Sequence, residues 1–399
     1  MRFEPLDLAP ADFRERMERL RFQFGKWDLN VAGRATIPAG ALVLSSDEHR
    51  TLVRESEALA GVVAKARDRL ACDVEASVAL DVPRAVAEAA AQEHPGQPIV
   101  TRIDFFRTRE GWQVSECNDD CPGGYNEAIG LPAVLGDALP AAFTAPTGLA
   151  QALAALLRPS SRTPVGIVYA TGYAEDLQVV RLLSGILGDA GVESVVGSPA
   201  HVGLAGSAAT LLGTEVGSIL RFFPAEWLTA LPNWETWRRL AGSEVPMRNP
   251  LSTLATQSKA IHAWLLENAA AEAVVRRLLP ATSRLDAAAA ARAAESPHRW
   301  VLKPAFGRMG EGVVVGAACP PDAWRKRVAS ALRERRTRPF VLQERFDAVP
   351  VETSPGTTQT ACVGAYVVGG RFAGYYSRLA RGPVVAYDAA NVLTVVEAA

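Results

Sequence analysis

The stretch from Arg102 to Asn118, Arg-Ile-Asp-Phe-Phe-Arg-Thr-Arg-Glu-Gly-Trp-Gln-Val-Ser-Glu-Cys-Asn, constrains this chain more than any other. It reads as two short strands around a polar turn that contains Gly111. Asp104 lies on the first strand, and Glu116 and Asn118 stand two apart on the second. Side chains two apart on a strand share a face. Pairing across the turn would therefore set two carboxylates and an amide together, with the Arg102 cation beside them. Magnesium favours such hard oxygen donors and keeps room for water and phosphate. A solvated hairpin face could carry the same residues, so the reading depends on what the rest of the chain supplies.

Two later segments supply it. Trp300-Val-Leu-Lys-Pro-Ala-Phe-Gly-Arg-Met-Gly-Glu-Gly-Val-Val-Val is an apolar strand, a glycine-rich loop and a second apolar strand. Gly307, Gly310 and Gly312 allow a backbone to approach phosphate oxygens and turn successive N–H groups toward an anion. Lys303 adds a point charge at the loop mouth. The order G-x-x-x-x-G-K-[ST] is absent and no helix follows, so the loop is a hairpin lid and not a Walker A loop. Further on, Phe340-Val-Leu-Gln343-Glu344 is a strand ending in polar side chains, an edge able to bond a purine rim and a ribose.

Together these segments resemble the nucleotide and magnesium site of ATP-grasp ligases. The carboxylates come first and the phosphate-binding lysines late, which is the circularly permuted order of the glutathionylspermidine synthetase family. The Asp104 to Glu116 spacing and the Glu-x-Asn ending are similar to that family's metal motif. Asn118-Asp-Asp-Cys-Pro-Gly-Gly-Tyr-Asn-Glu127 resembles its continuation. Asn249-Pro250 with Ser258-Lys259-Ala resembles its N-P…K-A segment, and Gly369 to Arg378 its late strand pair. The resemblance spans residues 90–385. It departs where Ser258 replaces the family's usual Asn and where the closing motif is not recognisable after Val384. Nor does the chain have room for the amidase domain of the bifunctional members.

The resemblance implies an α/β (α+β) fold, a circularly permuted ATP-grasp with an adjoining parallel-sheet lobe. It implies ATP and Mg2+ as cofactors, with Asp104, Glu116 and Asn118 as metal ligands. Lys259 and Lys303 would contact phosphates, Gly307, Gly310 and Gly312 would form the lid, and Gln343 and Glu344 would hold adenine and ribose. Arg102 and Arg378 would stabilise the transferring phosphoryl group. The implied activity is an ADP-forming ligation of a small-molecule carboxylate to an amine. Asp120 and Glu127 are candidate proton acceptors. Two other readings use the same residues: a non-catalytic nucleotide-binding protein on this scaffold, and a small-molecule kinase.

Composition narrows the class. Of 399 residues, 49% are hydrophobic and 21% charged, enough to build a large core. The net charge of −1, with no basic block, excludes an electrostatic footprint for nucleic acid or a membrane surface. No transmembrane run or signal peptide is evident, and the five cysteines are odd in number, which suits a cytoplasmic protein. Cys117 and Cys121 lack a second Cys or His pair for zinc. The oligomeric state is open, a homodimer included.

Periodicity divides the chain into three parts. Residues 1–145 hold helices around 12–22, 46–70 and 84–93 and then the metal hairpin. A break rich in Pro and Ser opens a lobe at 146–245, where Val165 to Ala170, a helix over 175–190 and a strand over 192–196 give a βαβ pattern. Thr171-Gly172-Tyr173 follows its first strand, where open α/β sheets bind ligands. Residues 246–399 carry the lid and hinge, with Lys259 expected in a helix over 254–267.

Overall fold

The computed structural model describes residues 1–31 and 33–398. Its architecture is built outward from two hairpins. Val100–Arg107 and Trp112–Asn118 form the first. Thr357–Val368 and Arg371–Ala380 form the second, turning at Gly369 and Gly370 with φ of 55° and 84°. A two-residue turn with both φ positive matches the twist of the strands it joins. The hairpins pair side by side and antiparallel, Gly364 against Asp104 and Tyr366 against Arg102. Residues far apart in the chain thus become neighbours.

Among the described residues the largest sheet has nine strands. Its main order is Arg2–Pro5, Gly40–Leu44, Ala390–Glu397, Arg371–Ala380, Thr357–Val368, Val100–Arg107, Trp112–Asn118. Alternation along Thr357–Val368 divides the core between its faces. Val363, Ala365 and Val367 pack with Leu52 and Leu59 of the Ser46–Ala71 helix. Tyr366 and Val368 point the other way, to Tyr125 and Leu149. The Ser46–Ala71 helix starts on a capping box in which Ser45 and Glu48 satisfy each other's backbone N–H groups.

A parallel sheet of Ser194–Gly197, Val165–Tyr169, Ser218–Phe222 and Met247–Arg248 carries the Ala174–Asp189 helix as its crossover. This is the βαβ arrangement that periodicity predicts. A further antiparallel sheet of Thr282–Arg284, Phe340–Glu344, Trp300–Pro304 and Val314–Val315 carries the lid between its last two strands. The Ala287–Glu295 and Pro321–Glu334 helices pack on it around buried Trp324, whose indole N–H donates to Ala293 O at 2.8 Å. Mixed parallel and antiparallel sheets with a glycine lid make an ATP-grasp-like fold in permuted order. No described helix is long and apolar enough to cross a membrane.

One expectation is corrected. The helix over 254–267 is two helices, Thr253–Gln257 and Ile261–Asn268, with Lys259 in the break. The Lys259 N–H donates to Ala305 O at 3.0 Å, outside any helical ladder. This tertiary bond ties Lys259 to the start of the lid.

Candidate active site

Strand alternation creates the ionic centre. Across the first hairpin Arg102 stands opposite Asn118 and Asp104 opposite Glu116, all on one face. A register shift follows Asp104, where Ser115 is the extra residue of a bulge. Asp104 is buried and accepts two hydrogen bonds from Arg102, Nε to Oδ1 at 2.7 Å and Nη2 to Oδ2 at 3.0 Å. Arg378, two strands away, donates to Oδ2 at 3.0 Å. Two guanidiniums on one carboxylate leave a net positive charge, and among the described residues the buried Nε of Arg378 has no partner. Gly364 makes this approach possible. A Cβ there would lie 3.0 Å from Asp104 Oδ1 and 2.6 Å from Tyr376 O.

The late elements close on this centre. Lys259 donates to Gly307 O at 2.8 Å and pairs with Glu116 Oε2 at 3.1 Å. Lys303 donates to Gln343 Oε1 at 2.7 Å and to Ser115 O at 3.2 Å. Asp104, Glu116, Lys259, Lys303, Gly307, Gly310, Gln343, Glu344 and Arg378 all line one cavity. Its apolar wall includes Val301, Val315, Phe106 and Phe346, a surface suited to a flat ring. Gly310 and Gly312 take φ of 74° and 71°. A Cβ on Gly310 would meet Val385 O at 3.0 Å, so the lid tip lies directly on the 383–387 segment. Gly312 sits at the lid's base, against Pro304.

Burial alone would raise the Glu116 carboxyl, but Lys259, Lys303, Arg102 and Arg378 outweigh it and hold it below the ordinary carboxylate range. Burial pushes the Lys303 ammonium down to about 8, against the opposing pull of Glu116. A chamber in which four cations, Arg102, Arg378, Lys259 and Lys303, face the carboxylates of Asp104 and Glu116 suits a polyphosphate that brings its own metal. Among the described residues no group of three or more His, Cys, Asp or Glu side chains could hold a metal unaided. Asp104 and Glu116 stand directly opposed at the cavity, a pair of the kind magnesium commonly takes together with water and phosphate oxygens, but here both Asp104 oxygens accept from Arg102 and Arg378 and Glu116 pairs with Lys259.

Two expected roles find side chains otherwise engaged. Asn118 donates weakly to Arg102 O at 3.4 Å and lines a neighbouring cavity with Glu116. Gln343, expected at a purine rim, has its carboxamide bonded to Lys303, His262 and Thr282. Glu344 pairs with Arg299 at 2.8 Å at the cavity's edge.

The neighbouring cavity shares Glu116, Gly307 and Arg378 with the first. Its walls include Lys26, Asp28, Arg102, Glu127, Asp176, Arg308 and Tyr376. Lys26 lies between Asp28 at 2.8 Å and Glu127 at 2.5 Å. Asp176 forms no ion pair among the described residues, and burial raises its carboxyl to about 6. Asp120 is corrected as a proton acceptor. Its Oδ1 accepts from Arg221 at 2.5 Å and Thr253 at 3.1 Å, and its Oδ2 from Ala225 N at 3.2 Å. Asn249, at φ 55°, donates to Asp120 O at 2.6 Å. The Asn249-Pro250 and Asn118-Asp-Asp motifs therefore meet in a buried clamp around Arg221.

Sequence reasoning passed over Lys26, Asp176, Arg221, His262 and Arg308. Arg308 alone had a signal, its place inside the glycine loop. From the lid it reaches Glu226 at 3.0 Å and lies over the Trp227 ring at 4.8 Å. Thr171, Gly172 and Tyr173 line a separate surface hollow in which Tyr173 stacks on Trp227. It is Asp176 and Gln178, just beyond them, that line the second cavity.

The solved structures that match this one include the following three. A glutathione synthetase-like effector from Globodera pallida is 10% identical, with a TM-score of 0.63, and the match covers 97% of this chain and 98% of the other. A putative gamma-glutamylcysteine synthetase from Methylobacillus flagellatus is 16% identical over 80% and 82% of the two chains, with a TM-score of 0.46. An ATP-grasp RimK domain protein from Sphaerobacter thermophilus is 15% identical over 54% of this chain and 90% of its own, with a TM-score of 0.30. The first likeness extends the fold to nearly the whole of both chains. No curated protein matches. The profile of the glutathionylspermidine synthase pre-ATP-grasp family matches residues 9–397. The chain belongs to that family.

Proposed function

We propose that the chain is an ATP-dependent carboxylate–amine ligase that releases ADP and phosphate through an acyl phosphate. The observation that carries this reading is the junction of two cavities at Glu116, Gly307 and Arg378. One cavity has lysines, a glycine lid and apolar walls, the chemistry of a nucleoside triphosphate. The other has mixed charges, the chemistry of small polar substrates.

In this mechanism a substrate carboxylate oxygen in the second cavity attacks the γ-phosphorus. The bond from that phosphorus to the β–γ bridging oxygen breaks, and ADP leaves. Lys259 and Lys303 would hold the β- and γ-phosphate oxygens. Arg378, with its free Nε, and Arg102 would stabilise charge on the transferring phosphoryl group. Magnesium, held by Asp104 and Glu116, would neutralise phosphate charge. The amine then attacks the acyl carbon, and phosphate departs with its pair of electrons. The amine's proton needs an acceptor, for which Asp176 is the candidate: it lines the second cavity, forms no ion pair among the described residues, and burial raises its carboxyl to about 6. The lid keeps water from the acyl phosphate. A small-molecule carboxylate and an amine are the proposed partners.

The test is incubation with ATP, magnesium and pooled acids and amines, followed by nucleotide and product chromatography. ADP with a new amide supports the ligase. AMP as the main nucleotide contradicts it, and ADP with a phosphoester would make the protein a kinase.

A further inference from the structure

We propose that His262 is a positioning residue for the nucleotide site. Through its Nδ1 lone pair it fixes the orientation of the Gln343 carboxamide, and so holds Lys303 facing the phosphates. The inference rests on the ATP-binding reading above.

The order of donors and acceptors leaves one arrangement. An ammonium only donates, so the Gln343 atom 2.7 Å from Lys303 Nζ must be the carbonyl oxygen. The amide nitrogen then faces His262 Nδ1 at 3.2 Å and Thr282 Oγ1 at 3.2 Å. An NH2 group bonds to Nδ1 only where that atom carries a lone pair, which puts the imidazole proton on Nε2. His262 is fully buried, and burial, with Lys303 and Lys259 nearby, pushes the imidazole down to about 3, so the ring stays neutral. Among the described residues the Nε2 atom has no hydrogen-bond partner.

That orphan donor is the telling feature. An apolar side chain of similar size would avoid its desolvation cost. What histidine supplies here, and leucine cannot, is the Nδ1 acceptor. Lys303 has three N–H donors. Gln343 and Ser115 O engage two of them, which leaves one for the cavity. Were the carboxamide to flip, its NH2 would face the ammonium and displace it. Gln343 therefore acts behind Lys303, and His262 behind Gln343.

Two substitutions in the full chain separate this role from packing. His262→Asn keeps an acceptor near the Nδ1 position, whereas His262→Leu keeps apolar volume. ATP binding with magnesium is measured by calorimetry, beside thermal melting. The proposal expects His262→Leu to bind ATP about tenfold more weakly without a lower Tm, the order of one hydrogen bond to a charged group. His262→Asn should stay within about threefold of wild type even if it melts earlier. A packing role gives the reverse ranking. Should His262→Leu not fold, Gln343→Met removes the oxygen facing Lys303 and should weaken ATP equally. ATP affinity equal to wild type in His262→Leu, or in Gln343→Met, would overturn the positioning role alone. A wild-type protein that binds no ATP would overturn it together with the ligase reading.

Discussion

Glu116 belongs to both cavities, and its carboxylate is held ionised by four cations, Lys259, Lys303, Arg102 and Arg378. Replacing it with Gln keeps the shape and removes the charge. The expected outcome is a kcat lowered about a hundredfold or more, the scale of losing one charged group at the reacting centre. A thermal melt should shift far less than turnover. A large loss of Tm with kcat retained in the folded fraction would count against the role. Lys303 gives a pH test. Its ammonium sits at about 8, so the cation that attracts phosphate is present below that pH and lost above it. ATP affinity should fall between pH 7 and 9, and Lys303→Ala should flatten that fall while costing at least about tenfold at neutral pH. Titration calorimetry across this range checks both. The type and spacing of the residues made Asp104, Glu116 and Lys303 legible. His262 and Arg221 were not, because a lone buried polar side chain acquires its meaning only from partners that folding brings to it.

The lid is the element on which the chemistry depends most. It is a hairpin loop between Trp300–Pro304 and Val314–Val315. Its tip rests on the 383–387 segment, and Arg308 binds Glu226 and the Trp227 face. An ion pair and a cation–π contact of this kind contribute on the order of 1 kcal/mol each. Arg308→Ala should therefore loosen closure, and a looser lid admits water to the acyl phosphate. ADP release in excess of amide should rise about five- to tenfold, measured by quantifying both products. Unchanged coupling would mean that the latch is incidental. The first central hairpin, with its alternation and glycine turn, could be read from the residues, whereas the second was legible only through the resemblance over Gly369 to Arg378. Gly40–Leu44 and Ala390–Glu397 could not be read. Each is a nearly continuous buried run in the interior of the sheet, with no polar alternation to mark it. The break at Lys259 escaped for a different reason: its cause is a bond to Ala305, remote in the chain.

At the scale of the whole molecule, the permuted order makes sense only as a closed arrangement. The first hairpin supplies Asp104 and Glu116, and the late strands supply Lys303 and Arg378. Pairing of Thr357–Val368 with Val100–Arg107 joins the early hairpin to the late strands in space. The parallel-sheet lobe then walls the second cavity with Asp176 and Gln178. Two cavities with a shared wall are what transfer of a phosphoryl group from a nucleotide to a carboxylate requires. Oxygen tracing follows that transfer atom by atom. The acid substrate, once found by product chromatography, is labelled with 18O in its carboxylate and turned over with ATP, magnesium and amine. The ligase mechanism predicts that one labelled oxygen passes to inorganic phosphate for each amide formed, with ADP as the nucleotide product. Label in AMP, or phosphate that carries none, would contradict it.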